Sequence, residues 1–262
     1  MKDDPQRLAF IDALRGFAIL GVILVHCQFA VAPGSAWLQT LMAAGARGVQ
    51  LFYVASALSL RMSWQVRSAR EHNPIRNFYI RRLFRVVPMF YVAIAGYLAL
   101  YGLAPTYYAP NGIRWFYVPL TALFINGFHP ETITSVVPGG WSIVVEMTFY
   151  LVFPFLVQRF RSLTALAGLF VASVFGAVLS AHLAYRVFAS SYPPQQIYLV
   201  DALASLNFFS QFPVFVAGMR WHIIASSLTR PMLTARNVFS SSLTISATLG
   251  ELTGMTLSIT WL

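Results

Sequence analysis

Long apolar runs separated by short basic turns set the pattern of this chain. From Gly16 to Ala46 there is no Asp, Glu, Lys or Arg, which is long enough to cross a bilayer as a helix. Further runs lie over residues 42–60, 86–104, 141–157, 163–183 and 202–219. Their length is that of spanning helices, and no strand-like alternation interrupts them. The expected fold is therefore all-α, a polytopic transmembrane helical bundle with six crossings. The first crossing is placed at residues 16–33. A seventh crossing would need the weakly apolar stretch 237–262, which carries Glu251 in its middle. Residues 115–128 are apolar but too short to span and end in Asn126-Gly127. They are read as re-entrant or interfacial. The chain thus divides into a membrane domain over 1–225 and a Ser/Thr-rich segment over 226–262 that forms a weak or incomplete further span.

Charge fixes an expected orientation. Between Arg61 and Arg85 stand seven arginines and a single acid, Glu71, the signature of a short cytoplasmic loop. The N-terminus, with Lys2, Arg7 and Arg15, falls on the same side, and Arg220, Arg230 and Arg236 return there. Arg47 sits near the outer end of the second crossing, where it can snorkel. Pro88 falls in the first turn of the third, where a missing N–H costs least. The formal charge of +10 thus belongs to loops of a chain that is 58% hydrophobic and 10% charged, with mean hydropathy +0.66. A nucleic-acid face needs basic residues spread over a soluble domain, and there is none.

The single cysteine, Cys27, excludes an intrachain disulfide. It points about 100° away from His26 on a helix, so packing is its expected role. Ala30-Val31-Ala32 resembles a signal-peptide cleavage site. Pro33 directly after it, His26 within the run and the many later spans argue for an uncleaved first crossing.

Within the apolar runs, a few ionisable residues carry the candidate chemistry. Arg15 and His26 are eleven positions apart, on one helix face and roughly 16 Å apart along its axis. A histidine at that depth marks a functional site by default; the competing reading is a histidine satisfied between packed helices. Arg82 and Arg85, in RRLFRVVP, share a face, and adjacent guanidinium forks suit a phosphate or pyrophosphate. Arginines flanking a span are also expected from topology alone. In PGGWSIVVEMTFYLVFPFL, Glu146 lies inside a crossing with Ser142 at i−4 and Tyr150 at i+4, a polar stripe turned away from lipid.

One His, one Glu and several Arg suit acyl transfer. A neutral imidazole can take the proton of an attacking hydroxyl or be acylated itself. The same groups suit a proton-coupled transporter. His72 is expected to be solvated, His182 and His222 interfacial, while His129 and Glu131 lie in an outer loop where they can meet an extracytoplasmic substrate. Metal-ligand spacings, a P-loop and a GxSxG elbow are all missing.

At these residues the chain resembles the acyltransferase-3 family, multi-pass membrane acyltransferases that modify bacterial cell-surface glycans. IDALRGFAILGVILVH looks like the family's opening R-x10-H element through Arg15 and His26. RRLFRVVP looks like its R-x-x-R element through Arg82 and Arg85. GGWSIVVEMTFYLVFPFL resembles its tryptophan-serine and glutamate segment through Trp141, Ser142, Glu146, Phe149, Tyr150 and Pro154. The resemblance implies an integral protein of the bacterial inner membrane that takes an acyl group, usually acetyl, from acyl-CoA on the cytoplasmic side. That donor is a substrate, and no permanently bound cofactor or metal is implied. The acceptor is a hydroxyl of a cell-surface or lipid-linked carbohydrate. His26, Glu146 and Arg15 are the implied catalytic residues. Arg82 and Arg85 hold the donor, and Trp141, Ser142 and Tyr150 meet substrate. Family members carry further late helices where this chain turns Ser/Thr-rich, so a catalytically dead scaffold stands beside the enzyme. The main alternative is a transporter that moves a small anion or an acyl group without transfer chemistry.

Overall fold

The computed structural model describes residues 5–30, 34–221 and 223–224. The chain divides into a compact unit Met1–Arg220 and a second unit from Trp221. The helices are α1 (Pro5–Ala30), α2 (Ala36–Ala44), α3 (Gly48–Ser68), α4 (Pro74–Tyr101), α5 (Tyr117–Ala122), α6 (Trp141–Arg159), α7 (Leu163–Phe188), α8 (Tyr198–Leu206) and α9 (208–221). Among the described residues, six segments are long and apolar enough to cross a membrane: Ala9–Cys27, Ala36–Ser68, Pro74–Tyr101, Trp141–Arg159, Leu163–Ser191 and Pro194–Trp221. The expected all-α polytopic bundle is what the chain forms.

Local chemistry explains the breaks within two of these segments. A 3-10 turn, Gly45–Arg47, joins α2 to α3, where the chain presses against α1. A Cβ on Gly48 would stand 2.5 Å from the Ala18 carbonyl, and one on Gly45 would strike the carbonyl of Gly21. Only glycine lets the two backbones approach this closely, the small-residue device of membrane helix pairs. Between α8 and α9, Asn207 turns the chain. Its Oδ1 accepts the Ser210 N–H at 3.1 Å as an N-cap, while Nδ2 donates to the Leu203 carbonyl at 2.7 Å.

At the centre α3, α6 and α9 pack through aromatic faces. Tyr53 stacks on Phe215 at 4.4 Å, and Phe215 on Phe149 at 4.0 Å. Elsewhere the helices turn large apolar side chains outward, such as Phe84, Phe155 and Phe175. In water such a surface is a liability; in a bilayer it is the solvated face. The protein is an integral membrane protein.

Segment 115–128 forms only the six-residue α5 and a 3-10 turn, Asn126–Phe128. A helix of that length covers about 9 Å and does not cross. Residues 130–137, next in the chain, are irregular yet buried. Asn126 holds part of this stretch, its Nδ2 donating to the Thr132 and Ile133 carbonyls at 3.2 and 3.3 Å and its backbone carbonyl accepting from Thr132 Oγ1 at 2.7 Å.

The structure corrects three sequence expectations. The helix that carries the third crossing begins at Pro74, so Pro74 takes the first-turn position and Pro88 lies inside the helix. The arginine-rich run continues the same helix: Arg and Leu are good helix formers, and Pro74 pre-sets the first turn. The helical segment that carries the second crossing runs over Ala36–Ser68, longer than 42–60, and Arg47 lies inside it, in the 3-10 turn between α2 and α3. Cys27 is exposed and not packed, because α1 meets its neighbours through the glycine face. Residues 226–262 and His222 lie outside the described residues.

Candidate active site

Polar side chains carried by apolar helices line up through the bundle. At the end marked by the arginine loop is a cavity of about 530 Å3. Arg15 of α1, Ser59 and Ser63 of α3, Glu71 of the next turn, and Arg82 and Arg85 of α4 border it. Arg15 donates from Nη2 to Ser59 Oγ at 2.9 Å and stands 3.5 Å from Asp12. Glu71 accepts from Arg81 at 2.8 and 3.0 Å and pairs with Arg67 at 3.7 Å. Desolvation works to raise the Glu71 pKa. Hydrogen bonds from Arg81 and Asn77, with the charges of Arg81 and Arg67, outweigh it and hold the carboxyl below its ordinary range.

Glu71 is thus committed to Arg81 and Arg67. Among the described residues no carboxylate comes within ion-pair distance of Arg82 or Arg85. Arg82 is instead held by aromatic faces, 5.4 Å from the ring of Tyr150 and 5.7 Å from that of Phe78. The Nε atoms of Arg15 and Arg82 are buried without a hydrogen-bond partner. Donors in this state fit an anionic ligand such as a phosphate group.

Deeper in the bundle, Glu146 on α6 is only 7% exposed. Its Oε1 accepts from Ser56 Oγ at 2.9 Å and from the hydroxyl of Tyr150, one turn further along α6. Glu146 borders two cavities. One, about 270 Å3, is shared with Arg85, Phe52 and Tyr150. The other, about 220 Å3, is shared with Val22, Phe52, Tyr53 and Ser142. Arg85 also borders the arginine cavity, so neighbouring cavities share first Arg85 and then Glu146 as wall residues, and their polar linings mark a path of positions from the arginines to Glu146. Tyr53 closes the far side, donating to the Ser142 carbonyl at 3.1 Å.

Not every sequence candidate lies on this path. Arg15, Arg82, Arg85, Glu146, Ser142 and Tyr150 border it. The Ser142 hydroxyl itself donates to the Gly139 carbonyl at 2.9 Å. His26 is exposed on α1, one turn beyond Val22, and borders none of the three cavities. Trp141 borders none either; its ring meets Tyr53 edge-on at 6.4 Å and packs beside Ile133, Val200 and Leu203.

Sequence reasoning missed the contribution of α3. Tyr53, Ser56, Ser59 and Ser63 recur at spacings of three and four and form one polar stripe along α3. That stripe supplies the partners of Ser142, Glu146 and Arg15 and part of the arginine cavity. Its periodicity is the signal that could have found it.

The sequence pattern of the acyltransferase-3 family, described as an acyltransferase domain, matches residues 8–257. The chain belongs to that family. It is 28% identical over 191 residues to the O-acetyltransferase OatA of Staphylococcus aureus, covering 65% of this chain and 28% of that protein. It is 29% identical over 158 residues to the acyltransferase MdmB of Streptomyces mycarofaciens, covering 56% and 38%. It is 26% identical over 163 residues to the peptidoglycan O-acetyltransferase OatA of Listeria monocytogenes, covering 55% and 23%. The match therefore spans well under half the length of these relatives. No solved structure matches the chain. The R-x10-H, R-x-x-R and W-S…E stretches of this chain supply Arg15, Arg82, Arg85 and Glu146 to the borders of these cavities, while Arg67, Arg70 and Glu71 come from the arginine loop and the end of α3.

Proposed function

We propose that this chain moves an acyl group, acetyl in the first instance, from acyl-CoA to a hydroxyl of a cell-surface or lipid-linked carbohydrate. The observation that carries the reading is the set of three cavities that share Arg85 and then Glu146 as wall residues. They border Arg82 and Arg85, which no carboxylate pairs among the described residues, and the buried carboxyl of Glu146. The arginines hold the phosphates of the donor at the cytoplasmic end of the bundle, in the inner membrane, with the N-terminus inside. From there the pantetheine arm reaches into the path. The acceptor oxygen attacks the thioester carbonyl, a C–O bond forms, and the C–S bond breaks. The hydroxyl proton passes to a base and then to the departing thiolate, giving an ester and free CoA.

Glu146 orients the incoming hydroxyl beside Ser142 and Tyr150, with Trp141 fixing the start of α6. His26, on the continuation of the α1 face that borders the path, serves as general base or transient acyl carrier. Arg15 polarises the donor end. O-acetyltransferases among the relatives support the acetyl group and the sugar acceptor.

The test uses the full chain in sealed proteoliposomes with acetyl-CoA and a lipid-linked glycan. Free CoA is expected to appear in step with acylated glycan, and both should vanish in Glu146→Gln. Movement of acetate or another solute with no thioester cleavage would overturn the enzyme in favour of a transporter.

A further inference from the structure

At the end of the bundle opposite the arginine loop lies a second polar centre that the path to Glu146 does not use. Its position comes from the helix order: α4 leaves the arginine end, and segment 102–140 and residues 189–197 join helices at the other. A cavity of about 300 Å3 there is bordered by Arg114, Phe116, Tyr117, His129, Glu131 and Tyr192. Glu131 is only 8% exposed. Tyr117 donates to its Oε2 at 2.5 Å, and Tyr192, more than sixty positions along the chain, borders the same cavity. The Glu131 N–H donates to His129 Nδ1 at 3.2 Å. A neutral His129 therefore carries its proton on Nε2 and presents a donor there.

We propose that this cavity binds a neutral, hydroxyl-rich ring, a sugar unit. A carboxylate has about four lone-pair sites, and Tyr117 occupies one, which leaves acceptors for ligand hydroxyls. His129 and the exposed Arg114 supply donors. Phe116, Tyr117 and Tyr192 supply flat apolar walls for the C–H face of a ring. With one acidic and one basic side chain on its border, Glu131 and Arg114, the cavity favours neither sign of ligand charge overall. Burial, reinforced by Glu131, pushes the Tyr192 pKa up to about 12, so its hydroxyl remains a donor at neutral pH. The volume sits at the small end of ligand pockets, which run from about 300 to 1,000 Å3, and suits one ring of a longer chain.

As the place where a carbohydrate acceptor waits, this site rests on the proposed function; as a sugar-binding site it is tested without any acyl donor. The full chain in nanodiscs is titrated with chitotetraose and with maltotetraose, with saturation-transfer NMR as the readout. Saturable binding of at least one is expected, weakened about tenfold or more in Glu131→Gln, the loss of hydrogen bonds to a charged group. Arg114→Ala, at the exposed rim, weakens it too and keeps the test valid if Glu131→Gln does not fold. Arg82→Lys leaves it unchanged. Binding by neither sugar, or equal binding by wild type, Glu131→Gln and Arg114→Ala, overturns the site. Sugar binding with no acyl transfer leaves the site standing and removes only the acyltransferase reading.

Discussion

The two ends of the bundle present polar groups to an apolar interior by different means. At the arginine end, Arg15, Ser59, Arg82 and Arg85 all stand on long helices at helical spacings. At the opposite end, Tyr117, His129, Glu131 and Tyr192 come from a short helix and irregular chain brought together by folding. The first arrangement is fixed once α1, α3 and α4 pack side by side. The second depends on a buried loop held in part by Asn126 and Thr132. Helical register is a robust way to aim charged groups. Loop burial brings residues from farther apart together at the cost of depending on every contact in the loop.

The sharpest way to break this contrast is to remove the groups assigned to chemistry. His26→Ala and Glu146→Gln are each expected to lower acyl transfer by about 100- to 10,000-fold, the usual worth of a general base or its partner, with protein abundance unchanged. Since His26 borders none of the cavities, retained activity in His26→Ala alone would move the base to Glu146. Gly48→Val comes next. A Cβ there meets the Ala18 carbonyl, and overpacking of this kind typically costs about 1–3 kcal/mol. Thermal unfolding in detergent should show a clear fall, whereas Gly168→Val, facing open space on α7, should not.

Smaller effects separate the two ends more finely. Arg82→Lys with Arg85→Lys should raise KM for acetyl-CoA about tenfold, because lysine keeps the charge but not the bidentate fork. An unchanged KM would leave these arginines with topology alone.

Acid should weaken the ends in order. Burial lowers the His129 pKa below 6.5, so the unfolded chain binds that proton first and stability falls as pH drops through 6.5. Glu71 is lowered from 4.5, so its contribution is full above that value and is lost only as pH falls through its own lower pKa. Melting temperature against pH should therefore soften in two steps. His129→Gln removes the first and Glu71→Gln the second. A single acid transition unaffected by His129→Gln would refute the ordering.

Local pattern determined much of this protein. Apolar length placed six crossings, arginine content marked one end, and motif spacing put Arg15, Arg82, Arg85, Glu146, Ser142 and Tyr150 on faces that do meet a common path. These are properties of single helices, where 3.6 residues per turn convert sequence distance directly into direction. The polar stripe of α3 obeyed the same rule and was equally legible. Tertiary structure alone decided what faces what: that Arg82 lies over Tyr150, that Ser56 reaches Glu146, that His26 stands outside the cavities while Trp141 packs beside Ile133. It alone joined Glu131 to Tyr117 and set Tyr192 on the same cavity. No helical period relates those three positions, so their meeting is set by how the helices pack and where the loop between α5 and α6 is buried. Helix-to-helix approach turns on glycines such as Gly45 and Gly48, whose effect appears only when the partner backbone is in place.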